Sequence, residues 1–118
     1  MAHGASNQYT DNFTATNVGQ TIPLPVATDP DFPIRAHAVS VGTGVGTITG
    51  AFITYDVQLK DGTFIDSGQP SILATGTAPI VRFDAILSTA AIKGFRVRMN
   101  NWTGGTSMAV VTTVVFLL

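Results

Sequence analysis

Apolar residues recur with the two-residue period of strands over most of this chain, in runs cut every eight to twelve residues or so by glycine, proline, asparagine and aspartate. The segment 47–60 shows it best. Ile53, Tyr55, Val57 and Leu59 point one way and Thr54, Asp56 and Gln58 the other. Asp61-Gly62 follows, the pair preferred by type I′ hairpin turns, and Thr63 to Asp66 would begin the returning strand. Ile92 to Asn100 repeats the pattern, with Phe95, Val97 and Met99 on one face and Arg96 and Arg98 on the other. Ile34–Val41, Ser71–Thr75 and Ile80–Asp84 read as further strands, and Gly42–Gly46 as a turn. Asp84 to Ala91 carries a weak helical signal, enough for one turn. Asn101–Gly105 turns the chain into a last strand, Ser107–Leu118, which is apolar on both faces. A strand of that kind is central in a sandwich or set against a partner.

The first 33 residues differ. Met1–Asp11 is small and polar, and four prolines (Pro23, Pro25, Pro30 and Pro33) remove ladder donors and favour extended backbone. The segment reads as an extended arm along an edge, of its own domain or a neighbour's, or as an ordinary edge strand followed by a loop. The expected organisation is an arm over 1–33 and an all-β, jelly-roll-like antiparallel β-sandwich over 34–118.

Composition agrees with that class. Seventeen of the 118 residues are threonine and 12 are glycine; all seven acids are aspartate, and only 11% of residues are charged. Threonine and valine suit a pleated surface, glycine and aspartate suit turns. A formal net charge of −1 argues against nucleic acid as a partner. The longest apolar stretch, Met108–Leu118, is too short for a membrane helix, which needs about 20 residues, and the first 33 residues lack the pattern of a signal peptide. A positive mean hydropathy of +0.34 with so little charge implies apolar surface hidden in an assembly.

Little in the sequence points to catalysis or a cofactor. There is no cysteine, and none of the six serines sits in a nucleophile elbow. Gly42–Gly46 lacks the lysine and helix of a phosphate loop. His3, His37, Asp29 and Asp31 do not form a recurrent ligand spacing; oxygen donors would suit calcium, but a solvated loop explains the aspartates. Asp56, Asp66 and Asp84 could meet across strands as a carboxylate pair, yet each also fits a turn or a solvent face. Arg82, Arg96 and Arg98 either reach aspartates of a neighbouring subunit, or are exposed charges that blunt a sheet edge, or pair across strands with Asp56 and Asp84. Trp102, the only tryptophan, either caps its own sandwich, fills a partner's pocket or stacks on a sugar.

Several short motifs then combine: Val45-Gly46-Thr47-Ile48-Thr49-Gly50, the hairpin Lys60-Asp61-Gly62-Thr63-Phe64, Lys93-Gly94-Phe95-Arg96-Val97-Arg98, and Trp102-Thr103-Gly104-Gly105-Thr106 before the last strand. Over residues 39–117 this resembles the small β-sandwich modules of structural proteins of tailed bacteriophages. The resemblance implies a non-enzymatic virion component at the capsid surface: a decoration (cement) protein that binds the major capsid protein as a homotrimer. Its expected interface residues are Phe13, Ile22, Leu24, Phe32, Arg96, Arg98, Trp102, Val114 and Phe116. The rival is a carbohydrate-binding module of a tail or baseplate, with Trp102 beside Tyr55 or Phe64 and with Asn100 and Asn101 as hydrogen-bond partners. A pilus-type adhesin is disfavoured by the lack of a signal-peptide pattern.

Overall fold

The computed structural model describes residues 6–25, 33–45, 48–68, 72–73 and 80–117. They form ten strands: β1 (Ser6–Phe13), β2 (Asn17–Val18), β3 (Ile22–Pro23), β4 (Ile34–Val45), β5 (Ile48–Leu59), β6 (Phe64–Asp66), β7 (Ile72–Leu73), β8 (Ile80–Leu87), β9 (Ile92–Gly104) and β10 (Ser107–Leu117). The first sheet has the order β1-β10-β4-β8; the second has β2-β9-β5-β6, with β3 also on β9 and β7 also on β5. All pairings are antiparallel. When the broken pairs β2/β3 and β6/β7 each count as one strand, every connection except the β5–β6 hairpin passes from one sheet to the other. Two sheets laced in this way are a jelly roll.

Inward side chains alternate as the sequence predicts. Ile53, Tyr55, Val57, Phe95, Val97 and Met99 of the second sheet meet Val81, Phe83, Met108, Val110 and Val114 of the first, all buried. Phe83 stacks on Phe95 and tilts against Tyr55, at 5.1 Å between centroids in each case. Ala38 lies opposite Phe83 and Ala36 opposite Phe116, so small residues make room for the rings.

One polar chain crosses this core. Val81 O can only accept, so the Tyr55 hydroxyl donates to it at 3.3 Å. Ser40 Oγ then donates to Tyr55 at 2.6 Å, and Thr112 Oγ1 to Ser40 at 2.7 Å. Each hydroxyl is satisfied, which buried polar groups require, and β5 is tied to β8, β4 and β10 at once.

Several elements differ from expectation, among them the turn expected over Asn101–Gly105, which is strand as far as Gly104. The N-terminal segment is not an arm set apart at residue 33: β1 pairs with β10, and β2 and β3 pair with β9. Asp11 Oδ1 accepts from Gln20 N at 2.9 Å, and Gly19 N donates to Val97 O at 2.8 Å, holding the crossover between sheets. Gly42 and Gly44 continue β4 because Val110 and Met108 of β10 pair with them. β8 runs through Leu87, so only the residues after it turn, with Ala91 N and Ile92 N donating to Ser88 O. The Asp61-Gly62 hairpin is a type I turn with a glycine bulge, not type I′. Among the described non-glycine residues only Asn101 has positive φ, so Asp61 does not; Gly62 (φ 95°) donates to Leu59 O. Asp61 Oδ1 accepts from Thr63 N at 2.8 Å, and that bond lowers the Asp61 pKa.

The core makes two outcomes measurable. Deleting residues 1–25 removes Phe13, Ile22 and Leu24 from it, at about 2–4 kcal/mol each, against a typical net stability of about 5–15 kcal/mol; the cooperative thermal transition should disappear. Burial raises the Tyr55 pKa from 10.0 to about 12. The associated stability is fully present below pH 10 and is lost as pH rises through about 12, a loss of roughly 2–3 kcal/mol. Urea titrations across that range should show it in the native chain and not in Tyr55→Phe.

Candidate functional site

The outer faces of the two sheets differ in chemistry. On the second sheet, cross-strand pairing sets Asp56 opposite Arg96 on β9 and Asp66 on β6. Arg96 Nε donates to Asp56 Oδ2 at 3.1 Å, and Arg98 Nε to Asp56 Oδ1 at 2.9 Å. The far end of Arg98 reaches Asp66 Oδ2 at 2.7 Å. The Arg96 guanidinium lies 3.6 Å from the centre of the Phe64 ring, a cation–π contact. Two cations and two anions thus neutralise one another, and the arginine stems bury the Asp56 side chain to 6% exposure. Arg96 and Arg98 are committed within the chain, the last of the roles the sequence allowed them.

The first sheet is different. Its outward residues form rows across β10, β4 and β8: Val111, Val41 and Ile80; then Thr113, Val39 and Arg82; then Val115, His37 and Asp84. Val41 and Ile80 are exposed, and Ile86 at the end of β8 is 69% exposed. Asp84 does not pair with Arg82. Arg35 takes both its oxygens, at 2.9 and 3.0 Å, with His37 Nδ1 at 3.9 Å. That pairing lowers the Asp84 pKa and raises the Arg35 pKa. Arg82 is exposed and forms no ion pair among the described residues.

The expected interface residues are placed as follows. Phe13, Ile22, Leu24 and Val114 are buried in the chain's own core and offer nothing to a partner. Phe116 is half-buried and packs edge-on against Phe95 at 6.3 Å. Trp102 is half-buried against the core, its backbone N–H held by Thr16 Oγ1 at 2.9 Å, so it caps its own sandwich. Phe32 lies outside the described residues, as do His3, Asp29 and Asp31. The sugar platform does not form: Tyr55 is fully buried and Phe64 lies under Arg96. Phe64 also sits at the Gly94 end of β9, eight residues or about 26 Å from Trp102. Asp56 and Asp66 do come together, but on a flat face with Arg98 between them; Asp84 is on the other sheet. The outward valines of β4 and β10 were missed individually, although the doubly apolar last strand pointed to them. Arg35 was missed because its link to Asp84 joins strands 49 positions apart.

No protein-family model matches the chain, and no curated protein matches it in sequence. Solved structures match it in fold. A chain in the acidic stable capsid structure of Helicobacter pylori bacteriophage KHP30 aligns with a TM-score of 0.60 at 14% identity, over 98% of this chain and 90% of that one. The SPBc2 prophage-derived protein YomS aligns with a TM-score of 0.55 at 12% identity, over 99% of both chains. The β-sandwich expected from the resemblance to phage structural proteins is the fold found in these phage-derived chains.

The ionic cluster gives a graded prediction. Asp56→Asn removes the one counter-charge of Arg96 and the more buried of the two on Arg98, and should cost about 3 kcal/mol in urea unfolding. Asp66→Asn alters only an exposed pair and should cost less than about 1 kcal/mol.

Proposed function

We propose that the chain is a non-enzymatic structural protein of a phage virion, acting as a capsid decoration (cement) protein on the outside of the head. The observation that carries this reading is the correspondence of the whole jelly roll with a chain of a phage capsid structure. The outward face of the first sheet supports it: the row Val111, Val41 and Ile80 is wholly apolar, and Val39 and Val115 stand beside it in rows that end on Arg82 and Asp84. In this reading that face meets the major capsid protein, and three copies gather as a homotrimer at a capsid threefold position. Many modest contacts repeated over a shell hold neighbouring capsomers together by multivalency. The packing of Trp102 against the core and the burial of Tyr55 favour this reading over the carbohydrate-binding alternative.

The experiment is binding to phage heads stripped of this protein. The native chain should bind and raise the temperature at which the heads burst. Val41→Lys and Val111→Lys, checked to be folded by their thermal transitions, should lose binding by at least about tenfold. Unchanged binding by both variants would discard this face, and failure of the native chain to bind would discard the decoration role.

A further inference from the structure

The first sheet ends in two strands, β1 and β8, each paired on one side only among the described residues. β1 is polar and carries one charge, Asp11. β8 reads Ile80-Val81-Arg82-Phe83-Asp84-Ala85-Ile86 before Leu87, a sequence whose chemistry inverts about Phe83. Apolar residues stand at both ends, with a cation on one side of the centre and an anion on the other.

We infer that β8 is a self-pairing edge at which a second copy of this chain adds its own β8 in antiparallel register about Phe83. In that register Arg82 lies opposite Asp84 of the second copy, twice by symmetry, and Ile80 lies opposite Ile86 of the second copy, also twice. All these side chains are on the outward face, because Phe83 and Val81 point into the core. The pairing draws on side chains that the single chain leaves exposed. Arg82 has no ion-pair partner among the described residues, Asp84 keeps 42% of its side chain exposed despite Arg35, and Ile80 and Ile86 are 46% and 69% exposed. Charges on edge strands ordinarily prevent pairing, since like charges meet when copies approach. Here the signs are opposed about the twofold, so approach neutralises them. Two four-stranded sheets would become one continuous sheet, with backbone N–H and C=O groups along both edges satisfied. The contact is isologous and uses the sheet edge. It runs along the sheet edge, although Ile80, Arg82 and Asp84 also belong to the outward face that the virion reading sets against the capsid.

The absence of cysteine allows a direct test of register. Within one chain positions 80 and 86 are about 20 Å apart along the strand and cannot be bridged. In the variant Ile80→Cys/Ile86→Cys, mild oxidation should therefore close only bonds between copies, giving at least about tenfold more covalent dimer on a denaturing gel than either single variant. Adding Arg82→Asp should abolish that excess, because carboxylates would then face one another across the twofold. Mixing this chain with one carrying Asp84→Arg in the same background should restore it, since opposite charges again meet. Thermal transitions of each variant confirm folding. Dimer yields equal to those of the single variants, or unaffected by Arg82→Asp, would overturn the pairing.

Discussion

The register of β5 is pinned from both sides of the second sheet. Tyr55 points inward and donates its proton into the hydroxyl chain that ends on Val81, while its neighbour Asp56 points outward into two guanidinium groups. A slip of one residue would put the carboxylate in the aromatic core and the phenol under the arginines. The carboxylate would then be buried among apolar rings and Arg96 would lose its counter-charge, at a cost of several kcal/mol. β5 pairs with β9, β6 and β7 and meets the first sheet through Ser40, Thr112 and Val81, so its register propagates to both layers. The N-terminal segment adds a second constraint. β1 belongs to one sheet, β2 and β3 to the other, and Asp11 holds the crossing.

The two faces that result are unequal. The second sheet closes over its own charges: Asp56, Asp66, Arg96 and Arg98 account for one another, and Arg96 covers Phe64. The first sheet presents one apolar row, Val111, Val41 and Ile80, beside mixed rows in which Arg82 forms no ion pair among the described residues. In a chain where only 11% of residues are charged, the distribution of those charges decides which surface stays free to associate. Exposed large apolar residues stand on both sheets, Val41, Ile80 and Ile86 on the first and Val18, Phe52, Ile65 and Ile72 on the second, so the open charge of Arg82 rather than apolar area distinguishes the first.

Much of this is legible in the sequence. The alternation in β5 and β9 follows directly from side-chain period, and the core residues Ile53, Tyr55, Val57, Phe95, Val97 and Met99 are those it selects. The doubly apolar β10 reads as a strand covered on both sides, and it is central. β1 is harder to assign, because an edge strand with Tyr9, Asp11 and Phe13 turned inward shows almost no apolar alternation. The Gly42–Gly44 segment misleads for a related reason: local glycine preference signals a turn, and only the distant β10 ladder overrides it. Phe13, Ile22 and Leu24 look like residues awaiting a partner because nothing local reveals that the second half of the chain covers them. Composition also points to assembly without saying which strand face would carry it, and Val111, Val41 and Ile80 come together only once β10, β4 and β8 lie side by side.

The central claim, that this jelly roll is a component of the outside of a phage head, is tested most directly by imaging intact particles of the source phage with gold-tagged antibody against the folded chain. Label distributed over the outer surface of the head is the predicted result. Label confined to the tail, or absent from intact particles, would contradict it.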